Sequence, residues 1–260
     1  MHGSSNPTVL AASSIVKQWI RSLLPFWLLK FRQDYLIRNP QKQYTNLTTK
    51  EVFTKIYQER AWGGPLNSEL EYFSGSGTHN DEIAGRYVSA AEGFLSSFAD
   101  KPDVVDLGCG DFTVGSQLRP LCNRYIACDI VGPLIEWNRE RYRELDVDFR
   151  VLDLSEDELP PADIVFLRQV LQHLSNDHIA RALPQLSTKY RYLVLTEHLP
   201  SLGKFRHNID KPAGASVRSA LNSGVILTSP PFNLSIKETA VLCELAEGGG
   251  IIRTNVYRLR

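Results

Sequence analysis

The stretch Val104-Val105-Asp106-Leu107-Gly108-Cys109-Gly110-Asp111 constrains this chain more than any other. It reads as a buried strand that runs directly into a glycine turn. The residues before the turn are apolar and mostly β-branched, with one carboxylate among them. The two glycines remove side chains where a ligand would approach the backbone, as suits a small nucleotide-like molecule lying across the end of a parallel strand. A second acid closes another apolar run, Tyr125-Ile126-Ala127-Cys128-Asp129-Ile130. Asp129 follows Asp106 by 23 residues, the length of one strand–helix–strand unit, and an acid there accepts hydrogen bonds from both hydroxyls of a ribose.

The glycine spacing narrows the ligand. A dinucleotide fingerprint needs a third glycine three residues after the second, but Thr113 stands there and Gly115 comes two residues late. This disfavours a nicotinamide-dependent oxidoreductase. Val-Val-Asp-Leu-Gly-Cys-Gly resembles motif I of the class I S-adenosylmethionine-dependent methyltransferases. Asp129 then matches their ribose-binding acid. Asp153, in Phe149-Arg150-Val151-Leu152-Asp153-Leu154, matches the acid near the adenine amino group, with Leu152 and Leu154 flanking the ring. Ala162 to Leu167 matches the fourth strand, and Arg168 to Leu174 its following loop and helix.

A narrower likeness covers residues 60–240. Phe73-Ser74-Gly75-Ser76-Gly77-Thr78 and Arg86-Tyr87 are similar to a small subfamily with an S-G-x-G-[ST] motif ahead of motif I. Asn208-Ile209-Asp210, Arg218 and Pro230-Pro231-Phe232-Asn233-Leu234 also resemble it. That likeness implies O-methylation of a small polar molecule, such as a sugar, a phosphonate or a natural-product intermediate. Gln169 departs from the pattern, standing where an acid is expected, and Glu197-His198 replaces a more apolar pair.

The resemblance implies S-adenosyl-L-methionine as cofactor and no metal. The implied cofactor set is Arg86, Asp106, Gly108, Cys109, Gly110, Asp129, Ile130, Asp153, Leu154 and Arg168. Arg86 is the candidate cation for the methionine carboxylate, with a solvated helix position as the equal alternative; Ser76 and Thr78 offer hydroxyls beside it. His173, His198 and Asp210 are the catalytic candidates. An imidazole accepts a proton near neutral pH, so His173, after the fourth strand, is the first choice for a base or substrate orienter. Against it stands a histidine bonded to backbone. Glu197, His207 and Asn208 are polar candidates for substrate contacts, as are Arg206 and Arg218 for a phosphate or carboxylate; solvated loop positions and surface salt bridges are their alternatives. His79, Trp62, Tyr72 and Phe73 fall in the segment ahead of motif I, as pocket walls or as packing.

The bulk numbers fit one α/β domain plus an extension: 260 residues, 43% hydrophobic and 22% charged. Basic and acidic residues balance at 29 each, which argues against a nucleic-acid partner. No amino-binding tetrapeptide of the Asn-Pro-Pro-Tyr type follows the fourth strand, which disfavours a protein or nucleic-acid methyltransferase. A non-catalytic cofactor-binding partner subunit remains as a rival. Cys109, Cys122, Cys128 and Cys243 form no Cys-x-x-Cys pair and read as reduced thiols of a cytoplasmic protein.

The expected organisation is a basic amphipathic extension over 1–45, a helical lid over 46–100 and a cofactor-binding core over 101–260. Residues 14–36 crowd Trp19, Ile20, Leu23, Leu24, Phe26 and Trp27 among basic side chains, and residues 1–40 carry five basic residues against one acid. The apolar part is shorter than the roughly 20 residues that span a bilayer. Two readings stand: a helix docked on the protein itself or on a second subunit of a homodimer, and a helix lying on an anionic membrane surface. The core alternates strands near 103–107, 124–128, 148–152, 163–167, 191–196, 224–228 and 250–258 with helices such as 132–144 and 177–186. Such alternation predicts a doubly wound, mainly parallel seven-stranded sheet with a Rossmann-like methyltransferase fold. The last two strands are expected as a hairpin-like pair, one of them antiparallel.

Overall fold

The computed structural model describes residues 44, 46–64, 71–200 and 205–260. The expectation for residues 14–36 lies outside them. Asn46–Arg260 form one compact unit. The helices are α1 (Thr49–Gln58), α2 (Ser76–His79), α3 (Asp81–Leu95), α4 (Gly115–Leu118), α5 (Gly132–Arg141) and α6 (Asn176–Lys189). The main sheet holds β1 (Val104–Leu107), β2 (Tyr125–Asp129), β3 (Asp148–Val151), β4 (Ile164–Arg168), β5 (Tyr192–Pro200), β8 (Glu238–Glu247) and β9 (Gly250–Arg258). Two short strands, β6 (Arg206–His207) and β7 (Ser223–Gly224), pair with each other in a separate ribbon.

Strand order in the sheet is β3-β2-β1-β4-β5-β9-β8. The first five run parallel, and β9 runs antiparallel to both of its neighbours. From β1 the chain winds outward to β2 and β3; from β4 it winds the other way. Right-handed crossovers therefore place α4 and α5 on one face of the sheet and α6 on the other. The strand order reverses between β1 and β4, and a crevice opens at the carboxyl ends of those strands.

The apolar pattern explains the layers. On one face Val104, Tyr125, Ala127, Phe149, Phe166, Val194 and Val256 pack with Ala84, Tyr87, Val88, Ala91 and Leu95 of α3 and with Leu118 and Ile135. The alternate strand positions, among them Val105, Leu107, Val165, Leu167, Leu193 and Leu195, are just as buried and face the opposite way. α6 buries Ile179, Ala182, Leu183 and Leu186. Helix starts follow their capping chemistry. Thr48 and Glu51 form a reciprocal capping box on α1, Asn80 accepts the Glu82 and Ile83 N–H groups at the start of α3, and Ser175 caps α6.

Three expectations change. The apolar run 224–228 is not a sheet strand: Val225 and Leu227 are buried, but as anchors of a loop that follows β7. The strand that completes the sheet is β8, an exposed edge whose Val241 is 56% accessible. Ser76-Gly77 is part of a helical turn, α2, rather than a free turn. Finally, α3 packs in the core layer and reaches the crevice through Tyr87, while Thr49, Phe53, Tyr57, Trp62 and Ser74 to Thr78 border it ahead of that helix.

Candidate active site

One cavity of about 270 Å3 occupies the crevice. The β1 turn lines it with Asp106, Gly108, Cys109 and Gly110; the end of β2 adds Asp129 and Ile130; the chain after β3 adds Leu152, Asp153 and Leu154. These residues, far apart in sequence, come together because parallel strands end side by side. Both glycines sit at positive φ, +78° and +57°. A Cβ on Gly108 would meet Val170 Cγ2 at 2.4 Å. On Gly110 it would overlap Ser74 Oγ. The glycines thus serve two ends: the turn needs their backbone, and the chain that packs over it leaves no room for a side chain.

The three carboxylates differ. Asp106 accepts a bond from the Tyr125 hydroxyl at 3.1 Å, and burial raises it to about 7. Asp129 accepts backbone N–H groups of Gly110 (3.2 Å) and Val131 (3.0 Å), yet burial still raises it to about 6. Its backbone donors do not replace the water it has lost. Asp153 takes the Ser155 N–H and hydroxyl at 2.8 and 2.7 Å, which shapes the loop it stands on. Cys109 is a buried thiol pushed well above its ordinary range by burial and by the neighbouring carboxylates.

The segment 73–79 closes over the β1 turn and is tied at both ends. Asp111, fully buried, accepts the Ser74 N–H at 2.9 Å and bonds His79 Nε2 at 2.6 Å, while its own N–H donates to Ser74 Oγ at 2.7 Å. Burial pushes the Asp111 carboxyl up, but His79 and the N–H groups of Ser74 and Thr113 outweigh it and hold it below its usual range. His79 also stacks on Phe73, centroids 4.4 Å apart. At the other end Arg168 donates to Gly77 O (2.6 Å) and Thr78 Oγ1 (3.0 Å), with its guanidinium 5.0 Å over the Tyr87 ring. Arg168 is on the cavity wall.

Arg86 is not. Its side chain is 61% exposed on the outer side of α3 and pairs with Glu82 one turn away, so it lies outside the cavity. The heptad-like spacing that put Tyr87 on the core side sends its neighbour outward. Asp210 also lies outside: it accepts the Asn176 N–H at 2.7 Å at the start of α6 and holds the following Lys211 N–H. Arg218, expected on the surface or on a substrate, is fully buried and donates to the carbonyls of Ile209 and Leu174. Asn208 is likewise structural, bonding both N–H and C=O of Ile226 across the loop. His207 is exposed and bonds Ser229, beside the exposed Arg206.

The two histidines line the cavity in different states. His173 Nδ1 bonds the Gly214 carbonyl at 3.2 Å, which fixes the proton there and leaves Nε2 to accept from the Gln172 amide at 3.3 Å. Burial, with the Lys211 charge beside it, drives this ring down to about 3. It is a neutral, fixed part of the wall, with its only lone pair engaged, and not a base. His198 Nε2 bonds the Glu247 carbonyl at 3.1 Å, with the Glu247 carboxylate at 3.6 Å. Gly250 makes room for that ring. Glu197, by contrast, turns away from the cavity and is pushed to about 8 by burial, against the pull of Arg218.

The far side of the cavity is built from rings. Trp62 lies 5.1 Å edge-on from Tyr57, 6.2 Å from Phe53 and 5.0 Å from His173. Its indole N–H donates to the Ala215 carbonyl at 3.3 Å. Asp111, Gln172, Trp62's ring contacts and Glu247 were not marked in the sequence as parts of one site. Asp111 was visible as the acid after the glycines, but its partner His79 lies 32 residues earlier.

Residues 104–191 match a protein-family model described as "Methyltransferase domain". No curated protein matches the chain. Among solved structures, the chain is similar to magnesium protoporphyrin IX methyltransferase (ChlM) from Synechocystis PCC 6803 with bound SAM. That match has 15% identity and a TM-score of 0.52, over 82% of this chain and 99% of that one. It is also similar to the N-methyltransferase NodS from Bradyrhizobium japonicum WM9 in complex with S-adenosyl-l-homocysteine, with 14% identity and a TM-score of 0.56, over 78% and 98%. A third likeness is to the N-terminal domain of EvdMO1 in the presence of SAH and D-fucose, with 18% identity and a TM-score of 0.51, over 80% and 96%. The matched stretch spans β1 to the start of β5, the part that builds the β1, β2 and β3 side of the crevice. Residues 104–191 thus resemble a methyltransferase domain, and the chain shares the fold of S-adenosylmethionine-dependent methyltransferases.

Proposed function

We propose that this protein transfers a methyl group from S-adenosylmethionine to an oxygen atom of a small molecule. The observation that carries this reading is the Asp129 carboxylate. It stands on the wall of the crevice, lifted to about 6 by burial in spite of its backbone donors. A ribose diol offers two O–H donors to such a group, and hydrogen bonds to the charged form would draw it back down. Leu152, Asp153 and Leu154 fit a purine beyond it, and Arg168, the cation on the wall among the described residues, fits the carboxylate end. Neighbours of the same fold carry this cofactor or its demethylated product in their structures.

When bound, S-adenosylmethionine supplies an activated methyl group on a sulfonium. The protein's work is positional: hold the acceptor oxygen in line with the methyl carbon and receive a proton. With the cofactor bound, the acceptor oxygen would take the methyl carbon as the C–S pair returned to sulfur, and His198 would receive the hydroxyl proton and pass it to solvent. His198 is the remaining imidazole for that role, held by Glu247 through Nε2. His173 instead fixes Gln172, whose Oε1 accepts the backbone N–H of His198 at 3.1 Å, so the amide ties the His173 ring to the strand that carries His198.

Calorimetric titration with S-adenosylhomocysteine and, separately, NAD tests the reading. We expect binding of the former alone, and a roughly 10- to 100-fold loss of affinity in Asp129→Asn, the worth of a hydrogen bond to a charged group. Folded protein that binds NAD and not S-adenosylhomocysteine overturns it. A small-molecule acceptor, rather than a polymer, accords with the balanced charge and is checked by where label from methyl-labelled cofactor appears in an extract.

A further inference from the structure

We infer that the acceptor is a planar phenol, an uncharged aromatic ring carrying the hydroxyl, and not a sugar phosphate or phosphonate; this rests on the methyl-transfer reading above. The half of the crevice left beside the residues assigned to the cofactor is walled by Phe53, Tyr57, Trp62 and His173, with Ala215 and Val217. Trp62 is the centre of that wall, within 5.0–6.2 Å of the other three rings. Ring faces and edges at such spacing take another planar ring in offset or edge-on contact.

Charge points the same way. Among the described residues on the wall, Asp106, Asp129, Asp153 and Glu247 are acidic and Arg168 is the one arginine or lysine. Arg168 is assigned above to the carboxylate of the cofactor, and it also holds Gly77 O and Thr78 Oγ1. His173 is neutral in its wall position, since burial holds its ring far below neutrality. A phosphate or phosphonate entering this chamber would shed its water without gaining a further cation from the described residues in return. An uncharged ring loses little water and buries apolar area against three aromatic side chains.

The chemistry of proton removal agrees. The imidazole on the wall that His173 leaves for this role is His198, and a phenol, with a pKa of about 10, yields its proton to an imidazole far more readily than an aliphatic hydroxyl does.

The test uses the full chain in two arms. Calorimetry first establishes S-adenosylhomocysteine binding. The loaded protein is then titrated with catechol and methyl caffeate, and with D-glucose, glucose 1-phosphate and 2-hydroxyethylphosphonate. We expect both phenols to bind more tightly than all three aliphatic probes. We also expect Trp62→Leu and Phe53→Leu each to weaken phenol binding about tenfold, with the S-adenosylhomocysteine affinity kept as the sign of an intact fold. A preference for either anionic probe overturns the inference, as does unchanged phenol affinity in both variants. Should the variants not fold, the rank order in the wild type decides. Absence of S-adenosylhomocysteine binding instead removes the cofactor reading, and the acceptor class falls with it.

Discussion

Asp111 shows how much one side chain organises here. It accepts from Ser74 and Thr113 and bonds His79, so one buried carboxylate joins the β1 turn to the segment that covers it. An asparagine is nearly the same shape but carries no charge for the imidazole. We expect Asp111→Asn to cost about 1–3 kcal/mol in chemical denaturation, since it weakens a charged hydrogen-bond set in a buried place. Amide hydrogen exchange should quicken over residues 73–79 and stay as it was in β4 and β5. Unchanged exchange in that segment would show that Arg168 alone holds it. The residue scale is also where sequence reading was most uneven. Asp106, Gly108, Gly110, Asp129 and Asp153 share one crevice, because their strand-end positions alone decide it. Arg86 and Asp210 could not be placed without knowing which side of α3 packs inward and where the loop before β7 lies. His173 was read by its chemistry in water, whereas burial sets its state.

At the scale of elements, legibility followed burial. β1, β2, β4 and β5 are apolar runs because both of their faces are covered. β8 escaped notice because it is an edge strand with polar and apolar residues both facing solvent, and its β-bulge between Val241 and Cys243 breaks the alternation. The run Val225-Ile226-Leu227 misled for the opposite reason: a loop that plugs into the core is as apolar as a strand. Arg218 fastens that loop region, reaching the carbonyls of Ile209 and Leu174 from a fully buried position and facing Glu197. Arg218→Met would strand the two carbonyls in a buried place, while Glu197, pushed to about 8, can stay protonated without it. We expect a loss of about 1–3 kcal/mol in denaturant unfolding, with the midpoint shifted and the slope unchanged. A loss under about 0.5 kcal/mol would mean that the loop is held by its apolar anchors alone.

The whole molecule carries more buried acid than its neutral formal charge suggests. Asp106, Asp129 and Glu197 are raised from 3.8, 3.8 and 4.5 to about 7, 6 and 8. Between pH 4.5 and 6 the folded chain therefore holds more protons on these groups than the unfolded chain. Stability from these three falls as pH rises through that window. His173, lowered from 6.5 to about 3, acts in the opposite sense, being one group against three. Lys211, lowered from 10.5 to about 7, adds stability with rising pH only above neutrality. We expect the melting temperature of the ligand-free protein to fall from pH 5 to pH 7. The upshift caused by S-adenosylhomocysteine should grow over the same range, because the ribose hydroxyls favour ionised Asp129. A melting temperature that climbs across that range would contradict the raised carboxyls.

The strand order has a consequence for the newborn chain. β8 is synthesised before β9, yet it touches the sheet only through β9, which lies between it and β5. β9 is thus the stretch that joins the preceding strand to everything made earlier. Until it arrives, the edge of β5 is bare from Tyr192 to Pro200, a row of unpaired backbone groups that invites pairing with a second molecule. β8 and β9 dock as a ready-made hairpin, and Leu259 then clasps the start of β5 through its N–H to the Arg191 carbonyl. The β8–β9 hairpin acts as a shutter on the sheet, and aggregation of chains truncated before Gly250 is the hazard it removes.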